Sequence, residues 1–223
     1  PDIADRATRD LAVDVFARMY GPDDSRDSVL QAISETGMGA YLGADILSAA
    51  PEAYSSSIEF EADVPIAQNL RDISQVLLAD LGTRVFYTQH AGYDTHAEEL
   101  ENHAQLWHEL STAVNDFMGD LEEHGRGDDA VIMIFSEFGR RIQDNGSGTD
   151  HGSGGVSFVI GNAVKGGFYG EYPSLELSEQ VQGDMKFNND FRGLYATLLD
   201  QWMGLDSSTI LNDNYEQFDL IRR

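Results

Sequence analysis

The 223-residue sequence contains no cysteine. Disulfides and thiolate metal sites are therefore excluded, and any metal must be held by carboxylates, imidazoles, hydroxyls or carbonyls. Cations are scarce as well: 14 basic residues stand against 39 acidic ones, the formal charge is -25, and only Lys165 and Lys186 are lysines. Such a surface repels nucleic acid and anionic lipid, because each phosphate contact needs a cation to replace the counterions it releases. An acidic, lysine-poor surface serves solubility in high salt, attraction of divalent cations, or solubility of an exported protein. No apolar run approaches the roughly 20 residues of a membrane span, and no basic-plus-apolar signal opens the chain. The opening "PDIADRATRD" lacks a methionine and reads as a chain cut from something longer.

Organisation is legible in the apolar spacing. Residues 3 to 20 have helical spacing and are stopped by "GPDDS"; residues 26 to 64 combine a second helical stretch with a Ser- and Glu-rich connector. Residues 1 to 64 thus read as a helical segment or cap, and residues 65 to 223 as an α/β core. Pro65 suits a first helical position, Ile66, Leu70, Ile73, Leu77 and Leu81 line one face, and Gly82 is placed to end that helix. "RVFYTQH" reads as a buried strand over 84 to 89. A long amphipathic helix over 97 to 122 carries Leu100, Ala104, Trp107, Leu110, Val114, Phe117 and Leu121 on one face. "DDAVIMIFSEFGR" supplies a strand over 130 to 136, and the Gly-rich "DNGSGTDHGSGG" reads as a loop leading into a strand over 156 to 160. A helix over 190 to 203 closes the pattern. This alternation predicts a layered α/β sheet with helices on both faces, in which polar groups just beyond the strand ends gather at the site.

Three such ends carry unusual polar groups: "HAGYDTH", "SEFGRR" and "GTDHG". Taken singly each has a plain structural reading. Asp94 and His96 suit a helix cap and a surface imidazole, Glu137 suits an ion pair with Arg140 or Arg141, and Asp150 and His151 suit a turn. Taken together, Asp94, His96, Glu137, Asp150 and His151 supply oxygen and nitrogen donors for a divalent metal: zinc, manganese, magnesium or calcium. Arg140 is the candidate catalytic cation, placed to clamp an ester's nonbridging oxygens. Of the other histidines, His103 and His108 fall in the long helix, His124 belongs to the helix-ending "EEHG", and His90 ends a strand. "GSGTDHG" lacks the spacing of a dinucleotide loop, "GPDDSRD" that of a calcium loop, and "NGS" at Asn145 is a glycosylation acceptor by pattern.

In this order, "GYDTH", "FSEFGRR", "GTDHG", "VKGGFYGEYP" and "NDFRGLYATLLDQWMG" resemble the DUF1501 family, over about residues 65 to 205 with a weaker match before them. That family is grouped with the alkaline phosphatase and sulfatase superfamily. The resemblance implies a three-layer α/β/α sandwich with a mostly parallel sheet, and hydrolysis of phosphate or sulfate esters at a one- or two-metal centre. It implies that Asp94 and His96 bind one metal and that His151 is the later histidine of the same metal. Glu137 stands where relatives carry an aspartate followed by a histidine, but Phe138 replaces that histidine, which puts a second metal in question. The nucleophilic Ser or Thr of relatives follows an N-terminal strand, and nothing before Pro65 reads as that strand. The resemblance also implies export, to the periplasm or outside the cell. The expected function is accordingly a metal-dependent hydrolase acting on an anionic ester, with a noncatalytic surface-assembly protein of the same fold as the alternative.

Overall fold

The computed structural model describes residues 54–222, together with residues 11, 14–16, 18, 19 and 43. The expected helix over 3 to 20, the helical stretch after residue 26 and the acidic "GPDDSRD" therefore lie wholly or mostly outside the described residues. The chain divides into two compact units, Pro1–Ser55 with Asp72–Phe86, and Ser56–Arg71 with Tyr87–Arg223. The second unit carries the candidate site.

Helix α1 spans Pro65–Leu78, with Pro65 at its start, where a missing N–H costs nothing. Ile66, Ala67 and Leu70 are buried. The helix stops short of the expected residue 81 because Asp80 already takes a left-handed φ of 54°, two residues before Gly82 at 77°. Helix α2, Glu99–Glu123, is the longest element among the described residues, at 25 residues. Its buried positions Leu110, Ala113, Val114, Phe117 and Leu121 repeat at three- and four-residue steps, as one helical face requires. The expected apolar stripe fades toward the N-terminus, where Leu100 is exposed. Gly125, at φ 69°, supplies the left-handed residue that ends the helix.

Four short strands follow: β1 (Ile132–Ile134), β2 (Gly139–Asp144), β3 (Thr149–Gly152) and β4 (Phe158–Ile160). β1 pairs antiparallel with β4, Ile132 opposite Ile160, and β2 pairs antiparallel with β3, Gly139 opposite Gly152 and Arg140 opposite His151. The expected three-layer sandwich with a mostly parallel sheet is therefore not the architecture: among the described residues each sheet has two strands, and both are antiparallel. Two physical reasons account for the difference. A parallel pair needs a crossover connection, usually a helix, whereas the chain between β1 and β4 folds into the β2–β3 hairpin and returns antiparallel. Residues 85–90 also have strand-like composition but join no ladder among the described residues, and Val85 and Tyr87 are 68% and 72% exposed. β-branched and aromatic residues favour extended backbone, but only a hydrogen-bonded neighbour makes it a strand.

The β1–β4 pair is anchored by the C-terminal part of the chain. Leu194, Leu220 and Ile221 form a buried cluster, with Met133, Val159, Val164, Leu198, Trp202 and Phe218 packed against it. Backbone bonds from Lys165 N to Leu220 O and from Arg222 N to Ala163 O, both 2.7 Å, tie the final segment to the chain after β4. Helix α3 (Phe191–Thr197) is capped by the Asp190 carboxylate, which accepts from Arg192 N, and continues as a π-helical turn over Leu198–Trp202. Helix α4 (Ser207–Leu211) is capped in the same way by Asp206. Asp200 joins these parts: its carboxylate accepts from Ser207 N at 2.8 Å, from Ser207 Oγ at 3.0 Å, and from Gln217 Nε2.

Two outcomes are expected. Leu121, fully buried, should cost about 2–5 kcal/mol when replaced by alanine, whereas Leu100→Ala should stay within about 0.5 kcal/mol; urea unfolding of both variants checks this. The backbone N–H of Ser207, with further help from Gln217, holds the Asp200 carboxyl below the usual carboxylate range. A carboxyl with a depressed folded pKa stabilises above its unfolded value and loses that contribution as pH falls through the folded one. Urea midpoints compared at neutral pH and below about pH 4 should therefore fall less in Asp200→Asn than in the parent protein.

Candidate metal centre

Tyr93 to His96 leads directly into α2. In extended backbone, residues i and i+2 share a face, and here Asp94 and His96 are exposed while Thr95 between them is buried. His151 comes from β3, directly across from Arg140 on β2. The two histidines converge on one oxygen: Asp94 Oδ1 lies 2.6 Å from His151 Nε2 and 2.9 Å from His96 Nε2. One ligand atom from each of the three residues lies within 4.8 Å of the others. The imidazoles stack with centroids 5.0 Å apart, and the Phe138 ring lies flat on His151 at 3.8 Å. The Asp94 carboxyl is held below the usual range, chiefly by its hydrogen bond with His151.

The other expected site residues fall around this group in different ways. Asp150 Oδ1 is 3.4 Å from His96 Nδ1, at the ring nitrogen facing away from Asp94. Its carboxyl is also held low, first by the Asn145 amide and then by His96. Glu137 is exposed and lies outside the convergent group. Arg140 points inward: it donates to Thr149 O at 2.7 Å, to Tyr93 O, and to Thr95 Oγ1 at 3.4 Å, with Glu99 Oε1 3.8 Å from its Nε. Its guanidinium holds the Asp94 segment against the hairpin that carries His151.

Other side chains brace the triad from several sides. His103 Nε2 meets Thr95 Oγ1 at 2.8 Å, and Thr149 Oγ1 donates to Glu99 Oε2 at 2.8 Å, so the first turns of α2 grip both the loop and the hairpin. Tyr93 is wedged edge-on against His90, His103 and Trp107, and its hydroxyl is pushed up to about 12, mainly by burial and then by Glu109. His90 bridges Tyr93 OH at 3.1 Å and Glu109 Oε2 at 3.2 Å. At the far end of α2, away from the site, His124 is exposed and engages Asp120 O at 2.7 Å through Nδ1. The hairpin turn is organised by Asn145, whose Oδ1 accepts from Ser147 N and Gly148 N while Nδ2 donates to His96 O at 3.2 Å. These bonds engage the amide nitrogen of the "NGS" acceptor pattern. Asn-Gly followed by Ser-Gly was the one available sign of this turn, since such residues build side-chain-bonded turns.

One carboxylate and two imidazoles are borderline donors that suit zinc and similar divalent ions, and three protein ligands leave a position for water or substrate. The donor set therefore fits a divalent metal. The hairpin meets the His96 segment closely, and a Cβ on Gly148 would lie 2.9 Å from His96 C and 3.0 Å from His96 O. Gly148→Ala should push the turn off this segment, costing about 1–3 kcal/mol of stability and about tenfold in zinc affinity. Gly166→Ala, whose added Cβ meets nothing within 4 Å, should change neither in calorimetric titrations.

The family described as "Protein of unknown function (DUF1501)" matches residues 17–216. No curated protein and no solved structure matches the chain.

Proposed function

The chain belongs to the DUF1501 family, and from that premise we propose that it is a metal-dependent hydrolase of phosphate or sulfate esters, with one divalent cation held by Asp94, His96 and His151. The convergence of two imidazole Nε2 atoms on a single carboxylate oxygen carries this proposal. A divalent cation held there supplies Lewis acidity, which lowers the pKa of water and neutralises charge on an ester's nonbridging oxygens. Asp94, His96 and His151 are all exposed, so an ester and water reach their donor atoms from solvent. On a chain of charge -25 an anionic ester is repelled except where a cation offsets that charge. Among the described residues one such donor group forms, which supports a stoichiometry of one ion per chain. Arg140, with its donors turned to Tyr93, Thr95 and Thr149, acts here by holding the ligand segments together.

One observation favours a second reading. The hydroxyl nearest the triad in sequence, Thr95 Oγ1, is buried and committed to His103 and Arg140, so it offers no free nucleophile. Under that reading the chain is a noncatalytic exported or surface-assembly protein with a structural cation. Export to the periplasm or cell exterior is part of both proposals on the strength of the family resemblance alone, and fractionation of source cells that finds the protein only in the cytoplasm would refute it. Among the described residues no helix is long and apolar enough to cross a membrane.

Zinc titration followed by assays with 4-nitrophenyl phosphate and 4-nitrophenyl sulfate separates the two. The hydrolase proposal expects one equivalent of zinc and turnover of at least one ester, both abolished in Asp94→Ala and His151→Ala and both retained in His108→Ala. Zinc binding without turnover of either ester favours the noncatalytic reading, and zinc content unchanged in His151→Ala removes the metal centre from both.

A further inference from the structure

Resting on the metal-centre reading, we propose that Asp150 is a positioning residue of the site: from β3 it holds His96 in the tautomer that leaves Nε2 bare, and Asn145 in turn holds Asp150. His96 faces a different carboxylate at each ring nitrogen, Asp94 Oδ1 at 2.9 Å from Nε2 and Asp150 Oδ1 at 3.4 Å from Nδ1. A ligating imidazole must present a lone pair on one nitrogen and carry its proton on the other, and the partner of the protonated nitrogen decides which is which. With Asp94 Oδ1 and His96 Nε2 both turned to a bound cation, the ionised Asp150 carboxylate, which only accepts hydrogen bonds, favours the proton on Nδ1 and leaves the Nε2 lone pair for that cation.

The same geometry separates Asp150 from the ligands. The two ring nitrogens of an imidazole point away from each other, so a cation on Nε2 lies across the ring from Asp150. The convergent donor group accordingly comprises Asp94, His96 and His151 and leaves Asp150 out. The orientation of Asn145 is itself set by the backbone. Its Oδ1 accepts from Ser147 N at 3.2 Å and Gly148 N at 3.0 Å, which turns Nδ2 toward both His96 O, at 3.2 Å, and Asp150 Oδ1, at 3.4 Å. The hairpin turn thus holds the ring of His96 through Asp150 and its backbone through Asn145. A carboxylate that orients a ligating histidine raises the basicity of the ligating nitrogen, and removing such a partner costs about 10–100-fold in metal affinity.

The test uses the full chain, with zinc alone as the probe. Calorimetric titration should show that Asp150→Ala weakens zinc binding about 10–100-fold, that Asp150→Asn recovers part of the loss because its Oδ1 still accepts from Nδ1–H, and that His96→Ala loses more than either. Long-range proton–nitrogen spectra of the zinc-loaded protein should place the His96 proton on Nδ1 and zinc on Nε2, a signature that a merely structural role for Asp150 would not move. Wild-type affinity in Asp150→Ala, or zinc on Nδ1, overturns the proposal. A loss in Asp150→Ala as large as that in His96→Ala marks Asp150 as a ligand and overturns it too. If Asp150→Ala does not fold, Asp150→Asn and the wild-type spectrum decide. Undiminished zinc binding in His96→Ala and His151→Ala is the separate result that defeats the metal centre itself.

Discussion

Arg140 joins the parts of the molecule on which the site depends. One guanidinium reaches the carbonyls of Tyr93 and Thr149 and the hydroxyl of Thr95, and it lies beside the Glu99 carboxylate. The Asp94–His96 segment, the first turn of α2 and the hairpin bearing His151 therefore share one cation as a common partner. Charge-assisted hydrogen bonds are roughly twice as strong as neutral ones, and a planar fork with five donors can serve several acceptors at fixed angles. Arg140 also sits directly opposite His151 in the β2–β3 ladder. The residue that sets the geometry is thus covalently fixed to the scaffold of one ligand and hydrogen-bonded to the segment of the other two.

This arrangement divides the charges of the site between two jobs. Arg140 works inward as a structural cation, while Asp94 and Asp150 face solvent at opposite ends of the His96 ring. The outer face of the site is therefore rich in acceptors, on a chain that is already strongly acidic. Two imidazoles and one carboxylate with a shared focal point are the arrangement that a divalent cation would complete, and the cation would reverse the local sign where an anionic ester has to approach.

Much of this was legible in the sequence, and the misreadings have definite causes. The helices were visible because a 3.6-residue apolar period is a long-range pattern: Leu110, Val114, Phe117 and Leu121 mark α2 without help from the rest of the chain. Strand segments at Ile132–Ile134 and Phe158–Ile160 were visible as apolar runs, but their antiparallel pairing was not, since direction is set by the chain between them. That intervening chain was read as a Gly-rich loop because Thr149 to Gly152 is polar and lacks alternation; it pairs because glycines at positions 139 and 152 let two backbones approach closely. Asp94, His96 and His151 stood out by residue type and placement. The roles of Phe138, Asn145 and Thr149 were not legible, because they consist of contacts across the hairpin and with α2 that no local spacing encodes.

X-ray absorption at the zinc edge, on the zinc-loaded full chain after desalting, tests the central claim most directly. The account predicts a shell of nitrogen and oxygen donors with the outer scattering of two imidazoles, and no zinc retained by His151→Ala. An all-oxygen shell, or no zinc retained after desalting, would contradict it.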